Sequence, residues 1–424
     1  MVYVISKENK PLMPCSNPVA RLLLKQGRAK VKKREPFTIK LTYETTNHTQ
    51  HLTLGVDTGS GTIGTAVSNN NFDIVYMSEV MVRNDVTSKM MRRAKYRRNR
   101  RSRKTRYRKA RWLNRANSMR TGRFSPTMQS KFHSHVKEIE YIKSILPITT
   151  MVFETGQFDT HLMKNPNLAN PKVKYWGYQR GANYGFENTR AMVLNRDNYT
   201  CQCCKGKRKD DKLEVHHIIF RSQGGSDEES NLITLCHTCH KNLHGGKINP
   251  KLKGKVKGTL KYATQMNSIR KQLFRLYPDA IETFGYVTKA NRIVLGMDKE
   301  HCYDACIIAT QGNAFVVKSN LYKKKCVPGG DFQKTKGVRS EQPIITNKIC
   351  GFRKFDKVRY FGNDYFIKGR RSTGYVVLMD IDGNEADFSA MPKGHKTPKM
   401  IKLKRIEART TWMITAVKVT SNIA

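Results

Sequence analysis

The chain has 424 residues, with 79 Lys plus Arg against 33 Asp plus Glu, a net charge of +46. At roughly 150 residues per domain, that length allows two or more hydrophobic cores. The charge far exceeds what solubility requires, so it points to a polyanionic partner, nucleic acid ahead of an anionic membrane. No apolar run approaches the roughly 20 residues of a spanning helix, and the basic stretch lacks a broad apolar face. MVYVISKENK has neither the basic start nor the apolar core of a signal peptide. Of the ten cysteines, four stand in metal spacing, which suits a reducing cytosol better than a disulfide framework. The expectation is a cytoplasmic protein without membrane contact.

Residues 2–6 (VYVIS) and 37–43 (FTIKLTY) read as strands, with a short helix between them. Asn17-Pro18 opens that helix and Leu22, Leu23 and Leu24 give its apolar side. Residues 52–67, LTLGVDTGSGTIGTAV, read as strand, glycine turn and strand. Asp57 ends the first strand, and Gly59, Gly61 and Gly64 allow a tight reversal that leaves its carboxylate uncovered. Residues 92–115 carry fourteen Lys or Arg, and no acid occurs from Val86 to Lys137. These are good helix formers, but such a helix repels itself unless phosphates neutralise it. Tyr96, Tyr107 and Trp112 interrupt the charge and are placed to stack on bases or brace the helix. The bland alternative is a solvated charge run or localisation signal, which is usually only 5–8 residues long. Phe132, Val136, Ile139, Ile142 and Leu146 then follow helical spacing, and the strand TTMVFE delivers Glu154.

The most specific stretch runs from Cys201 to His244. Cys201/Cys204 and Cys236/Cys239 are two C-x-x-C pairs, which give Zn²⁺ a closed tetrahedral shell of structural type. Cys203 leaves a C-x-C alternative open, but the two matching pairs favour C-x-x-C. His216-His217 ends the strand EVHHIIF, the Gly224-Gly225 turn follows, and Asn231 opens NLITL. His240 and His244 stand four apart, on one face of a helix. Four cysteines alone would fit a zinc ribbon that only holds structure.

Beyond a basic linker at 251–258, Leu260, Ala263, Met266, Ile269, Leu273 and Leu276 make one helical stripe, read as core. HCYDACIIAT places His301 and Asp304 on one face of a helix whose other side is apolar. From about 311 the composition turns β-rich. KVRYFGNDYFIKGRRSTGYVVLMDIDG, at 357–383, suggests a small antiparallel barrel with a basic surface.

His216-His217, Asn231, His240 and His244, in that order, resemble the ββα-metal motif of HNH nucleases. That resemblance implies His217 as general base and Asn231 orienting it. It implies His216 and His240, with His244 as a further candidate, as ligands of one catalytic Mg²⁺. In many relatives the first of these positions is Asp, so this chain departs there. The strand–glycine–strand around Asp57, the strand ending in Glu154 and the HCYDA helix resemble the three motifs of RuvC-type nucleases. The first alone fits sugar kinases and actin-like ATPases equally. Together they imply Asp57, Glu154 and Asp304, with His301, around two Mg²⁺.

The order of these parts, opened by KPLMP at 10–14, resembles IscB proteins, transposon-encoded relatives of type II CRISPR effector nucleases. The implied fold is α/β and α+β, multidomain. It has an RNase H-like (RuvC) core split in sequence, an inserted HNH domain, an arginine-rich bridge helix and a small C-terminal β-barrel-like domain. The implied boundaries are 1–46 (PLMP-type module), 47–85, 121–170 and 248–312 (RuvC), 86–120 (bridge helix), 171–189 (linker), 190–247 (HNH with zinc) and 313–424 (RNA and adjacent-motif domain). Arg92, Arg93, Arg97, Arg98, Arg100, Arg101, Arg103, Arg106, Arg108 and Arg111 are the expected nucleic-acid contacts. The implied partners are an omega-type guide RNA and duplex DNA with an adjacent motif, in a monomeric ribonucleoprotein. Two alternatives remain: an HNH homing or restriction-type enzyme without RNA, and a non-catalytic zinc-stabilised binding protein.

Overall fold

Short β-branched runs and glycine turns give the described residues eighteen strands, alongside ten α-helices. The structure, a computed structural model, describes residues 1–101, 124–179, 183–207, 210–223, 225–248, 260–329, 348–392 and 394–419. In chain order the elements are β1 (Val2–Ile5), β2 (Pro11–Cys15), α1 (Asn17–Lys25), β3 (Ala29–Lys33), β4 (Thr38–Leu41), β5 (Thr53–Asp57), β6 (Thr62–Ser68) and β7 (Asp73–Met81). Next come α2 (Val86–Arg101), α3 (Pro126–Lys143), β8 (Thr150–Thr155), α4 (Thr160–Lys164), α5 (Pro171–Gln179), α6 (Thr189–Arg196), β9 (Leu213–His217), β10 (Leu232–Cys236) and α7 (His237–His244). They are followed by α8 (Lys261–Leu276), β11 (Ile281–Phe284), α9 (Gly285–Val294), α10 (His301–Ala309), β12 (Val316–Val317) and β13 (Leu321–Cys326). The chain ends with β14 (Lys357–Tyr360), β15 (Asn363–Arg370), β16 (Val376–Met379), β17 (Lys404–Glu407) and β18 (Trp412–Val417). Among the described residues no helix is long and apolar enough to cross a membrane. Two units result, 1–156 with 265–424, and 157–264.

The larger unit is built on a sheet ordered β11-β8-β5-β6-β7-β13-β18, with β12 also on β7. β11, β8 and β5 are parallel, and β6 runs against β5 and β7. Period-two alternation sends Leu54, Val56 and Phe153 to one face, where they pack against Ile139 and Ile142 of α3 and Ile269 and Leu273 of α8. Pro126 and the Ser125 cap start α3. The other face takes α10 through Ala305, Cys306 and Ala309. Gly64, expected in the turn, is a strand residue: a Cβ there would lie 1.9 Å from the His301 carbonyl oxygen. Gly55 likewise meets Ala309 and Ala305 backbone. The two glycines therefore let α10 lie directly on the sheet.

β13 is fastened to this core by Lys324, whose ammonium is fully buried with Glu138 at 2.7 and 2.9 Å. Ser78 and Tyr76 also donate to that carboxylate, so neither charge is left without hydrogen bonds. β13 and β18 thus belong to the large sheet, and the expected boundary at 312/313 does not separate them from it. Among the described residues the remaining C-terminal strands form an open antiparallel sheet, β16-β15-β14-β17, where a barrel was expected. At the N-terminus, β2-β1-β4-β3 covers its own small core with α1.

In the smaller unit β9 and β10 form an antiparallel hairpin followed at once by α7. Residues 171–189, expected as a linker, contain α5, and α6 opens the segment that follows. Arg196 of α6 donates to the Glu229 and Leu232 carbonyls and so braces the hairpin.

Candidate metal centres

In the smaller unit the Sγ atoms of Cys201, Cys204, Cys236 and Cys239 all lie within 4.8 Å of one another. Cys203 is outside that grouping and packs beside it, as the C-x-x-C spacing predicts. Burial raises the Cys236 and Cys239 thiols above the ordinary thiol range, so the pocket alone disfavours thiolates. A tetrahedral Zn²⁺ fits these donors and would supply the missing positive charge.

His216 of β9 and His240 and His244 of α7 form the second centre, with ligand nitrogens again all within 4.8 Å. Nε2 of His240 and Nε2 of His244 are 3.2 Å apart. Two nitrogens take that separation when each is about 2.1 Å from one ion. Burial and the facing His240 and His244 rings bring His216 down to about 4. It is therefore uncharged at neutral pH, the form in which imidazole ligates. Glu214 accepts from Nδ1 of His240 at 2.6 Å and Nδ1 of His237 at 3.0 Å. A carboxylate only accepts here, so His240 keeps its Nε2 lone pair for the ion. Three imidazoles suit a zinc- or nickel-type ion; the expected Mg²⁺ prefers oxygen.

His217 is the next residue along β9 and so points to the opposite side. Its Nε2 is 2.7 Å from Oδ1 of Asp227, to which Arg221 Nε donates at 2.7 Å. Nε2 then carries the proton and Nδ1 keeps a lone pair. Asn231 does not bond His217 as expected. Its buried side chain accepts from the Ile219 N–H at 2.9 Å and donates to the Ile219 and Ser226 carbonyls at 3.0 and 2.8 Å. It clamps the loop after His217, and Asp227 orients the ring. Gly225 belongs to that clamp: a Cβ there would lie 1.8 Å from the Ile219 carbonyl oxygen.

In the larger unit a single register row crosses the sheet: Thr283, Glu154, Asp57, Gly64, Glu79 and Lys323. Partnered residues face the same side, so Glu154 and Asp57 are adjacent. The first turn of α10 lies over Gly64. His301 Nδ1 sits 2.5 Å from Asp57 Oδ2. Arg292 donates to Asp304 at 2.6 Å. Burial, then the charge of Asp57, raises Glu154 to about 7. Its Oε2 is buried without a hydrogen-bond partner. The bond to Asp57 raises His301 and favours its charged form. The three carboxylates do not all lie within 4.8 Å of one another, as the cysteines and the histidines do. Asp57 and Asp304 are each held by a basic side chain instead. The uncompensated carboxylate of Glu154 fits a hard cation.

The sequence reading missed Glu79, Arg292, Thr288, Glu214 and Asp227. Only Glu214 carried a signal, since two residues before His216 on a strand means the same face. Of the expected basic contacts, Arg92, Arg93, Arg97 and Arg98 lie on α2 and are exposed, while Tyr96 is buried. Arg100 and Arg101 are also in α2. Arg103, Arg106, Arg108 and Arg111, with Tyr107 and Trp112, lie outside the described residues.

Residues 2–181 match the family described as RRXRR protein, and residues 201–246 match HNH endonuclease. Anaredoxin of Nostoc sp. is 34% identical over 65 residues, 15% of this chain and 83% of its own length. The type IV methyl-directed restriction enzyme EcoKMcrA of Escherichia coli is 37% identical over 65 residues, 14% of this chain and 23% of that enzyme. Streptococcus thermophilus Cas9, solved in complex with AGGA PAM and with AGAA PAM, matches with a TM-score of 0.29 in each case. Identity to those two chains is 11% and 10%, over 57% of this chain and 32% of each Cas9 chain. The chain thus spans about a third of the Cas9 length and about a quarter of the restriction enzyme.

Proposed function

We propose, from the premise that this chain belongs to the HNH endonuclease family through residues 201–246, that it is an RNA-guided DNA endonuclease with two separate cutting sites. The observation that carries the nuclease reading is His217 with a free Nδ1, oriented by Asp227, on the strand whose preceding residue, His216, converges with His240 and His244. His217 takes the proton from the attacking water through Nδ1, and Asp227 holds the resulting imidazolium. His216, His240 and His244 hold the ion, whose contribution when bound is to stabilise charge on the leaving oxygen.

The second site is the acidic row, read as a RuvC-type centre within an RNase H-like core split over 47–85, 121–170 and 248–312. Asp57, Glu154 and Asp304 are its Mg²⁺ ligands. Two ions do not require all three carboxylates to reach one point, which suits their spacing. His301 stands with Asp57 as the local proton carrier. Guide RNA is supported by the exposed arginines of α2, by the +46 charge and by the order of an RRXRR segment before the HNH segment. Base pairing would then supply sequence choice, with the C-terminal sheet reading a short adjacent motif. A monomeric ribonucleoprotein in the cytoplasm completes the reading. The match to a restriction enzyme favours a second one, duplex cutting without RNA. A discrete RNA that copurifies with the chain separates the two.

His217→Ala is expected to lower cutting of the guide-paired strand by about 10²–10⁴-fold and to spare the displaced strand. Strand-resolved products in which both cuts fall together would remove His217 from a separate site. Binding to nucleic acid is expected to weaken by about 10³–10⁵ between 50 and 200 mM salt if 6–10 phosphates are contacted. A flat titration would rule out α2 as the anchor.

A further inference from the structure

We propose that Phe284 and Tyr286 form a stacking platform for unpaired bases of the strand cut at the acidic row. This rests on reading that row as a nuclease site. Parallel strands β5, β8 and β11 run side by side, and Phe284 is the last residue of β11, paired with Thr155 next to Glu154. In such sheets ligands sit beyond the carboxyl ends of the strands. Gly285 follows directly and abuts the site: a Cβ there would come 3.0 Å from Oε1 of Glu154. Tyr286 is the next residue, one Cα step of about 3.8 Å further. Its side chain is 73% exposed. Its ring lies 6.0 Å from the Phe284 ring with only 7° between the planes. Buried Thr288, two residues on, favours the charged form of the Glu154 carboxyl, so α9 lies against the site. The aromatic pair therefore flanks, at the carboxyl end of β11, the glycine that abuts Glu154, and it presents an open ring face.

The chemistry of that face selects its occupant. A base inside a duplex has both faces covered by its neighbours, whereas an unpaired base offers a face to an aromatic ring. The strongly basic chain draws a polyphosphate strand toward it, and exposed Lys289 follows on α9. Stacking of one base there would hold the neighbouring phosphodiester at Asp57 and Glu154. The platform thus narrows the substrate of the acidic row to a single strand.

The test uses the full chain. Asp57→Ala protein is irradiated with single-stranded DNA carrying iododeoxyuridine, and the crosslinked peptides are mapped. Crosslinks are expected on Phe284 or Tyr286. In the otherwise native protein, Tyr286→Ala is expected to raise KM for displaced-strand cutting roughly five- to a hundredfold. Tyr286→Phe, which keeps the ring, should stay near wild type, and cutting of the other strand should not change in either. Crosslinks that map only elsewhere, equal cutting by Tyr286→Ala and the native chain, or equal loss in the Ala and Phe variants would each overturn the platform. So would a Tyr286→Ala change that appears only as altered self-association. Continued displaced-strand cutting by Asp57→Ala would sink the nuclease reading of the row instead, and the crosslinks would still decide the platform.

Discussion

Asp57→Ala is expected to abolish cutting of the displaced strand while the guide-paired strand is cut at close to the native rate. Asp57 ends β5 beside Glu154, and its Oδ2 is 2.5 Å from His301. Its loss removes one ion ligand and the partner of His301 together. Removing one group that stabilises charge or moves a proton in a nuclease site costs about 10²–10⁴-fold in rate. The fold should tolerate the change, because Asp57 and Glu154 are like charges in one half-buried row and Asp57 raises the Glu154 carboxyl. Relief of that repulsion offsets part of the lost His301 bond. A duplex labelled separately on each strand reads the result directly. Undiminished displaced-strand product would take Asp57 out of the site.

Removal of metal from the four cysteines should have the second large effect. Structural Zn²⁺ in small modules supplies about 10–16 kcal/mol of apparent binding energy, which exceeds the roughly 5–15 kcal/mol that holds a typical domain folded. The apolar core around these cysteines is small, with Leu235 the buried aliphatic residue among them. Cys239→Ala, or chelation of the native protein, is therefore expected to unfold residues 190–247. Hydrogen exchange should show β9, β10 and α7 losing protection while β5, β6 and β8 keep theirs. The guide-paired cut should vanish with the hairpin, since His216 and His217 are on β9. Full protection of β9 after complete removal of metal would show that the cysteines are not a metal-dependent staple.

The clustered cysteines and histidines were legible because their spacing is local. Two C-x-x-C pairs and an i, i+4 histidine pair need only a turn and a helix to converge, and the structure brings both sets together. The acids were legible one by one, as strand ends and a helix face, and the register row then brings Asp57 beside Glu154. Their basic partner Arg292 was not, because nothing on α9 marks it until that helix packs beside α10. Asn231 was misplaced for a related reason: its side chain serves the backbone of a loop whose path no pattern reveals. Gly64 read as turn chemistry, but the close approach of α10 fixes it. The C-terminal strands were legible from alternation, but alternation says nothing about closure, and among the described residues they form an open sheet. Two further C-terminal strands left it for the large sheet: β13 pairs with β7 and is pinned to α3 by the buried Lys324–Glu138 pair, and β18 pairs with β13.

The independence of two cutters in one chain is tested most directly by the products of four proteins on one strand-labelled duplex matched to the copurified RNA. These are the native chain, Asp57→Ala, His217→Ala and the double variant. The account predicts two cuts, a nick in the guide-paired strand, a nick in the displaced strand, and intact DNA, in that order. Either single variant losing both cuts, or the double variant still cutting, would contradict it.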